Sequence, residues 1–283
     1  MRLSRGDVTL VLLAGGYNKR LRRDERSLPK SLVPLTDVPP VMVMLADQFL
    51  ADGAKVLVIC DAPAAAMFRL MYPQFDKSVR VVEDEFVGTG QALRMAVEAA
   101  RTRWVVCANA DTIVPVDLSS WYQSVDLVAP VHQLLVPDSV QNSGLIGVDA
   151  HSGDVTHWGE TIGRAPASSL RHASSTGVYL LHRNSWLSWQ HSSGESLERE
   201  ILPQAVEHGL LHGTIAESPW PVFDYGTIDR LQELQSNDWL RHSLLAAACL
   251  TPKGTRCTPP SIYSGPRATT DDRPRLALSG AAT

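Results

Sequence analysis

From Val8 to about Val131 short apolar runs alternate with amphipathic stretches, and this alternation constrains the fold more than any other feature. The spacing predicts strands at Val8–Leu13, Lys55–Cys60, Val79–Val82, Trp104–Cys107 and Leu127–Val131. It predicts helices at Pro40–Asp52, Pro63–Tyr72 and Gly90–Arg101 between them. Runs with apolar side chains on both faces, each followed by a helix, predict an α/β fold with a doubly wound, mostly parallel sheet. Such sheets bind ligands at the carboxyl ends of their strands.

From Gly144 the pattern shortens to Gly144–Val148, Val155–Trp158 and Ser174–Leu181, which reads as a smaller, substrate-binding β extension. A helix over Ser196–His208, a short strand at Val222–Asp224 and a helix over Ile228–Ala248 complete the expected layout. The expected domain is residues 1–250, with a first half of about 1–130 and a second half of about 131–250. Residues 251–283 are rich in Pro, Thr, Ser, Arg and Gly and read as a disordered tail.

The first strand carries the sharpest functional signal. Val8–Leu13 ends in Ala14, Gly15 and Gly16, small residues that let backbone N–H groups approach a phosphate. Arg20, Arg22, Arg23 and Lys30 follow closely. Neither G-x-x-x-x-G-K-[ST] nor G-x-G-x-x-G follows the strand, which excludes a P-loop and a dinucleotide fingerprint. Arg2 and Arg5 before an apolar run imitate a signal peptide, but the run is short, contains Thr9 and leads into arginines.

A net charge of −4 gives no general attraction to nucleic acid or anionic membrane, so an anionic ligand requires a local cation cluster. No apolar run approaches the roughly 20 residues of a membrane span. Cys60, Cys107, Cys249 and Cys257 are scattered without C-x-x-C spacing, which fits a reducing, cytoplasmic setting. His208 and His212 have metal-ligand spacing, but Gly209 lies between them and no cysteine is nearby to complete a site.

The letters Leu13-Ala14-Gly15-Gly16-Tyr17-Asn18-Lys19-Arg20-Leu21, closed by Pro29-Lys30, resemble the signature of the sugar-phosphate nucleotidyltransferase family. Asn18 and Lys19 stand where that signature has Gly and Thr. Gly88-Thr89-Gly90-Gln91 resembles the family's base-recognition element, in a form most similar to heptose-1-phosphate guanylyltransferases, so GTP is the leading donor. Asn109-Ala110-Asp111 resembles its N-x-D, and Phe223-Asp224-Tyr225-Gly226-Thr227 its D-I-G-T. On the sugar side Gly144, Glu160 and Ser175-Thr176-Gly177-Val178-Tyr179 match more loosely, with Thr161 where the family has lysine.

The resemblance implies a Rossmann-like fold and a reaction between a nucleoside triphosphate and a sugar 1-phosphate. It assigns Arg20 and Lys30 to the phosphates. Leu13, Ala14, Gly15, Gly16, Gly88, Thr89, Gln91 and Asn109 fall to the nucleotide, and Asp111 with Asp224 to Mg²⁺. Gly144, Glu160 and Thr176 fall to the sugar phosphate. Lacking the acceptor lysine, the chain is expected to use Arg164, or failing that Arg171, as the only permanent cations between Glu160 and Gly177. Nucleic-acid and membrane partners are not expected, and homo-oligomerisation stays open. Two other readings compete: a non-catalytic binding subunit on the same fold, favoured by Lys19 and Thr161, and a nucleotide-sugar glycosyltransferase, disfavoured by the absence of Asp-x-Asp.

Overall fold

The computed structural model describes residues 3–15, 28–36, 38–83, 88–137, 145–159, 170–189, 196–216, 218 and 220–250. Its strands are β1 (Val8–Leu13), β2 (Lys55–Cys60), β3 (Val79–Glu83), β4 (Trp104–Asn109), β5 (Thr112–Ile113), β6 (Val131–Pro137), β7 (Leu145–Asp149), β8 (Val155–Trp158), β9 (Leu170–His182), β10 (Leu211–Ile215) and β11 (Phe223–Asp224). Its helices are α1 (Val41–Ala51), α2 (Ala62–Met71), α3 (Thr89–Ala99), α4 (Leu118–Ser124), α5 (Arg183–Ser188), α6 (Leu202–Glu207), α7 (Ile228–Ser236) and α8 (Asp238–Ala247).

One sheet runs in the order β10-β6-β9-β4-β1-β2-β3, with β7 attached to β9 and β8 to β7. β3, β2, β1 and β4 are mutually parallel, β9 is antiparallel to β4 and to β6, and β10 is parallel to β6. This is the expected α/β architecture. Within β1, Leu10 and Leu12 face one apolar cluster and Val11 the other. β4 repeats the pattern, with Val106 and Ala108 against Val105 and Cys107. Side chains of alternate residues leave a strand on opposite faces, so apolar runs of this kind are held only with helices on both sides. Residues of α1, α2, α7 and α8 fill the first cluster, and α3, α6 and Trp186 the second.

The chain order reverses between β1 and β4, because β1 lies between β2 and β4. That reversal opens the crevice where sheets of this kind take ligands. β9 lengthens the same edge. Its second half pairs with β4, Cys107 facing Tyr179, while Leu170–Ser174 continue past the carboxyl end of β4 and pair with β7. The β extension is thus mounted directly beside the crevice.

Several boundaries differ from the sequence expectation. The strand read at Leu127–Val131 begins only at Val131, after Pro130, which has no N–H to offer a ladder. The helix read at Ser196–His208 is a π-helical turn over Leu197–Ile201 followed by α6, with Pro203 in the first turn of α6. A proline there has no N–H for the preceding turn, which widens. The helix read at Ile228–Ala248 breaks at Asn237, whose side chain accepts from Leu240 N at 3.0 Å and starts α8.

His132 on β6 is fully buried, and its pKa is pushed from 6.5 down to about 4 by burial and then by His212. The folded protein therefore holds it neutral, whereas the unfolded chain protonates it near 6.5. Its contribution is full above that value and is lost as pH falls from 6.5 toward 4, at about 1.4 kcal/mol per pH unit. Urea unfolding across this window should show the loss, and His132→Phe should flatten the slope. Equal slopes in the two proteins would refute the assignment.

Candidate active site

At the crevice, Leu13, Ala14 and Gly15 leave β1 as a turn fastened on both sides. Ala14 N donates to Ile59 O at 2.8 Å and Ala110 N donates to Leu13 O at 3.1 Å, tying the turn to β2 and β4. Gly16 and Arg20 lie outside the described residues. The chain re-enters through buried Pro29 into a 3₁₀ turn at Lys30–Leu32, where Ser31 Oγ donates to Ala14 O at 3.4 Å. This turn delivers Lys30 to the end of β4, where its ammonium pairs with Asp111 Oδ2. The Asp111 side chain is only 10% exposed and that of Lys30 27%, so the pair sits in a partly water-excluded recess.

Asp224 arrives from far along the chain. β11 pairs antiparallel with β5, placing Asp224 opposite Thr112 and next to the Asp111 turn. Tyr225 locks the register: its N–H donates to Asp111 O at 3.1 Å and its buried hydroxyl donates to Ala110 O at 3.3 Å. Burial, then the nearby Asp111 and Asp224 carboxylates, hold this phenol well above its ordinary pKa, so it remains a neutral donor.

Gly226 shows how closely the groups converge. A Cβ at this position would stand 2.9 Å from Asp224 Oδ1, 3.0 Å from Asp111 Oδ2 and 3.5 Å from Lys30 Nζ. Two carboxylates and one ammonium therefore surround one point at the switch of strand order, and only the lack of a side chain at Gly226 leaves that point clear. Asp224 Oδ1 also accepts from Gly226 N at 2.7 Å, which fixes its rotamer.

The two carboxylates suit a hard, oxygen-seeking cation with room for further oxygen ligands. Among the described residues no group of three or more His, Cys, Asp or Glu could hold a metal by itself. The donor set fits Mg²⁺ carried in with a phosphate ligand better than a metal caged by protein alone.

The other sequence-predicted residues separate into two groups. Asn109 closes β4 beside Gly177, where a Cβ would come 2.8 Å from Asn109 Nδ2; Gly177 also has φ +72, so glycine is required there twice over. Gly88, at φ +95, opens α3, and Gln91 is exposed in its first turn. Thr89 uses its hydroxyl within the fold: it donates to Glu198 Oε2 at 3.2 Å and accepts from Leu197 N at 3.0 Å, fastening α3 to the π turn. Thr176 is likewise turned inward, buried and donating to Leu134 O at 2.7 Å across the β6–β9 irregularity. Arg171 lies exposed on β9 opposite Val148. Gly144, Glu160, Thr161 and Arg164 lie outside the described residues.

Sequence reasoning missed Tyr225 and Gly226 as functional positions, although they lie inside the segment that flagged Asp224. Their importance depends on contacts with Ala110 and Asp111 that no local pattern carries.

Residues 10–146 match the family model described as the MobA-like NTP transferase domain. The chain carries a MobA-like NTP transferase domain. The mannose-1-phosphate guanyltransferase of Pichia angusta is 24% identical over 252 residues, 87% of this chain and 66% of that protein. The D-glycero-α-D-manno-heptose 1-phosphate guanylyltransferase of Aneurinibacillus thermoaerophilus is 26% identical over 116 residues, 40% of this chain and 50% of that protein. The chain thus spans between half and two-thirds of the length of these two relatives.

Among solved structures, HddC from Yersinia pseudotuberculosis superimposes with a TM-score of 0.61 at 22% identity, over 81% of this chain and 98% of that one. A second structure of HddC is complexed with GMP-PN. The inositol-1-phosphate CTP transferase of T. maritima gives a TM-score of 0.63 at 15% identity, over 83% of this chain and 97% of that one. These likenesses establish the fold. Among the described residues no helix is long and apolar enough to cross a membrane.

Proposed function

We propose that this chain is a sugar-1-phosphate nucleotidyltransferase, joining a nucleoside triphosphate, GTP in the favoured case, to a sugar 1-phosphate and releasing pyrophosphate. The observation that carries the reading is the convergence of Lys30, Asp111 and Asp224 on the point kept clear by Gly226. Guanine and a mannose- or heptose-like sugar are favoured because the Pichia and Aneurinibacillus relatives are guanylyltransferases for such sugar 1-phosphates. HddC, complexed with GMP-PN, adds to the case for a guanine nucleotide.

In this reading an oxygen of the acceptor phosphate attacks the α-phosphorus in line, and the bond to the β-phosphate breaks to release pyrophosphate. A phosphate monoester has a second pKa of about 6, so the nucleophile arrives ionised and no general base is needed. The protein's task is alignment and neutralisation of charge. The glycine segment Gly15-Gly16 and the Arg20 guanidinium are assigned to the triphosphate. Asp111 and Asp224 would hold Mg²⁺, which supplies positive charge to phosphate oxygens when bound. Lys30 exchanges its contact with Asp111 for one with the transferring phosphate. Gly88 and Gln91 would present donors and acceptors to the base, while Gly144, Glu160 and Arg164 are assigned to the sugar phosphate by sequence.

The direct test is pyrophosphate release from a panel of GTP, ATP, CTP, UTP and dTTP with mannose, heptose, glucose and inositol phosphates. Turnover with one pair, GTP and a mannose- or heptose-type 1-phosphate by expectation, supports the proposal; binding without turnover of any pair would instead indicate a non-catalytic subunit.

Gly226→Ala provides a second check. The backbone there is not in the left-handed region, so alanine is tolerated by the chain. Its Cβ would nevertheless crowd both carboxylates. A fall in kcat of about 10²-fold, the scale of an ångström-sized misplacement, is expected with thermal unfolding little changed. Full activity in this variant would refute the shared point.

A further inference from the structure

We propose that the opposite edge of the sheet carries a second binding site, for a small phosphate monoester. A cleft of about 520 Å³ opens where β1, β2 and β3 begin, within the usual size range of small-molecule sites. Lys55, Lys77, Arg80 and Arg101 line it, against Asp76 as its one acidic lining residue. In a chain whose net charge is −4, four cations around one cavity are a local concentration of positive charge.

The cations come from separate elements: Lys55 begins β2, Lys77 sits in the turn before β3, Arg80 is on β3, and Arg101 follows α3. The carboxyl end of α3 also faces the cleft, and its partial negative charge would oppose an anion. That charge is already answered. Arg80 Nη1 donates to Ala99 O at 3.2 Å, while Arg183 donates to Val97 O at 3.1 Å and to Glu98 O at 3.2 Å. The Ala99 contact anchors Arg80 and leaves other guanidinium donors for a ligand.

The chemistry selects the ligand class. A phosphate monoester carries nearly two negative charges near neutrality, matched by a guanidinium fork and flanking ammonium groups. The wall is apolar at Val56 and Ala100, which favours an organic ester over bare phosphate. Thr9 lines the cleft at the start of β1, whereas the glycine turn of the active site lies at the other end of the same strand. A ligand here therefore touches none of the residues given to the proposed reaction, and the inference does not rest on that reaction.

The test uses the full chain, ribose 5-phosphate and inorganic phosphate as probes, calorimetry at constant ionic strength, and amide hydrogen exchange. Ribose 5-phosphate is expected to bind with Kd below about 1 mM and more tightly than inorganic phosphate, protecting residues 76–80 and 99–101. Lys77→Glu/Arg101→Glu alters two exposed side chains and should weaken binding at least about tenfold. Lys55→Glu provides an independent variant should the first fail to fold. Unchanged affinity in a folded variant, or protection confined to residues 13–15 and 88–91, would overturn the second site. Equal affinity for both probes would overturn the ester assignment.

Discussion

Lys30→Ala should lower kcat by about 10²–10³-fold, the usual cost of removing one donor aimed at developing charge, while the apparent affinity for the triphosphate changes far less. The structure explains why the loss should concentrate in turnover. Lys30 reaches the site from a short turn anchored by Pro29 and Ser31, and its ammonium stands at the end of β4 beside Asp111. A cation so placed has its largest effect where negative charge gathers at the transferring phosphorus. Lys30→Arg should recover only part of the activity, because a planar fork does not reproduce a point charge in the space beside Gly226. Stopped-flow or steady-state pyrophosphate release measures both variants. Near-normal kcat in Lys30→Ala would remove Lys30 from the reacting centre.

Asp111→Asn and Asp224→Asn should each cut turnover by about 10²–10³-fold and shift the magnesium dependence to higher concentration. The double variant should be little worse than the weaker single one, because ligands of one ion act as a unit. A readout independent of turnover is direct Mn²⁺ binding followed by electron paramagnetic resonance, which should weaken in either single variant. Losses that multiply strictly, or activity that persists in excess chelator, would separate the two carboxylates. The geometry argues for coupling, since both carboxylate oxygens approach the same point within 3.0 Å.

How much of this was legible beforehand depended on whether the cause was local. The strands β2 and β4 were readable because consecutive residues face two apolar clusters, which leaves an uninterrupted apolar run. β6 and β10 were not readable at their true places. Each carries a histidine within the strand, His132 buried and His212 partly buried, and β10 also contains Gly213, packed within 2.7 Å of a Leu135 methyl at its absent Cβ. A polar or glycine residue inside a strand is decided by what crosses it, and the crossing partners lie dozens of residues away. The same distinction holds in the site. Lys30, Asp111 and Asp224 are picked out by short motifs, whereas the contacts of the Thr89 and Thr176 hydroxyls depend on Glu198 and Leu134, which those motifs do not contain. The break at Asn237 shows the intermediate case: the capping residue was visible, but the apolar spacing on both sides continued through it.

β9 also bears on how the molecule is put together. Among the described residues it is the sole link in the sheet order between β4 and the β6–β10 pair, and it also carries β7. It comes 61 residues after the end of β4 by position, at Leu170, so its pairing closes a long loop and contributes to slow folding. Until that strand arrives, β4 presents a bare line of N–H and C=O groups, the kind of edge that recruits other chains. Truncations or insertions between residues 138 and 169 thus bear on aggregation during synthesis as much as on the finished site.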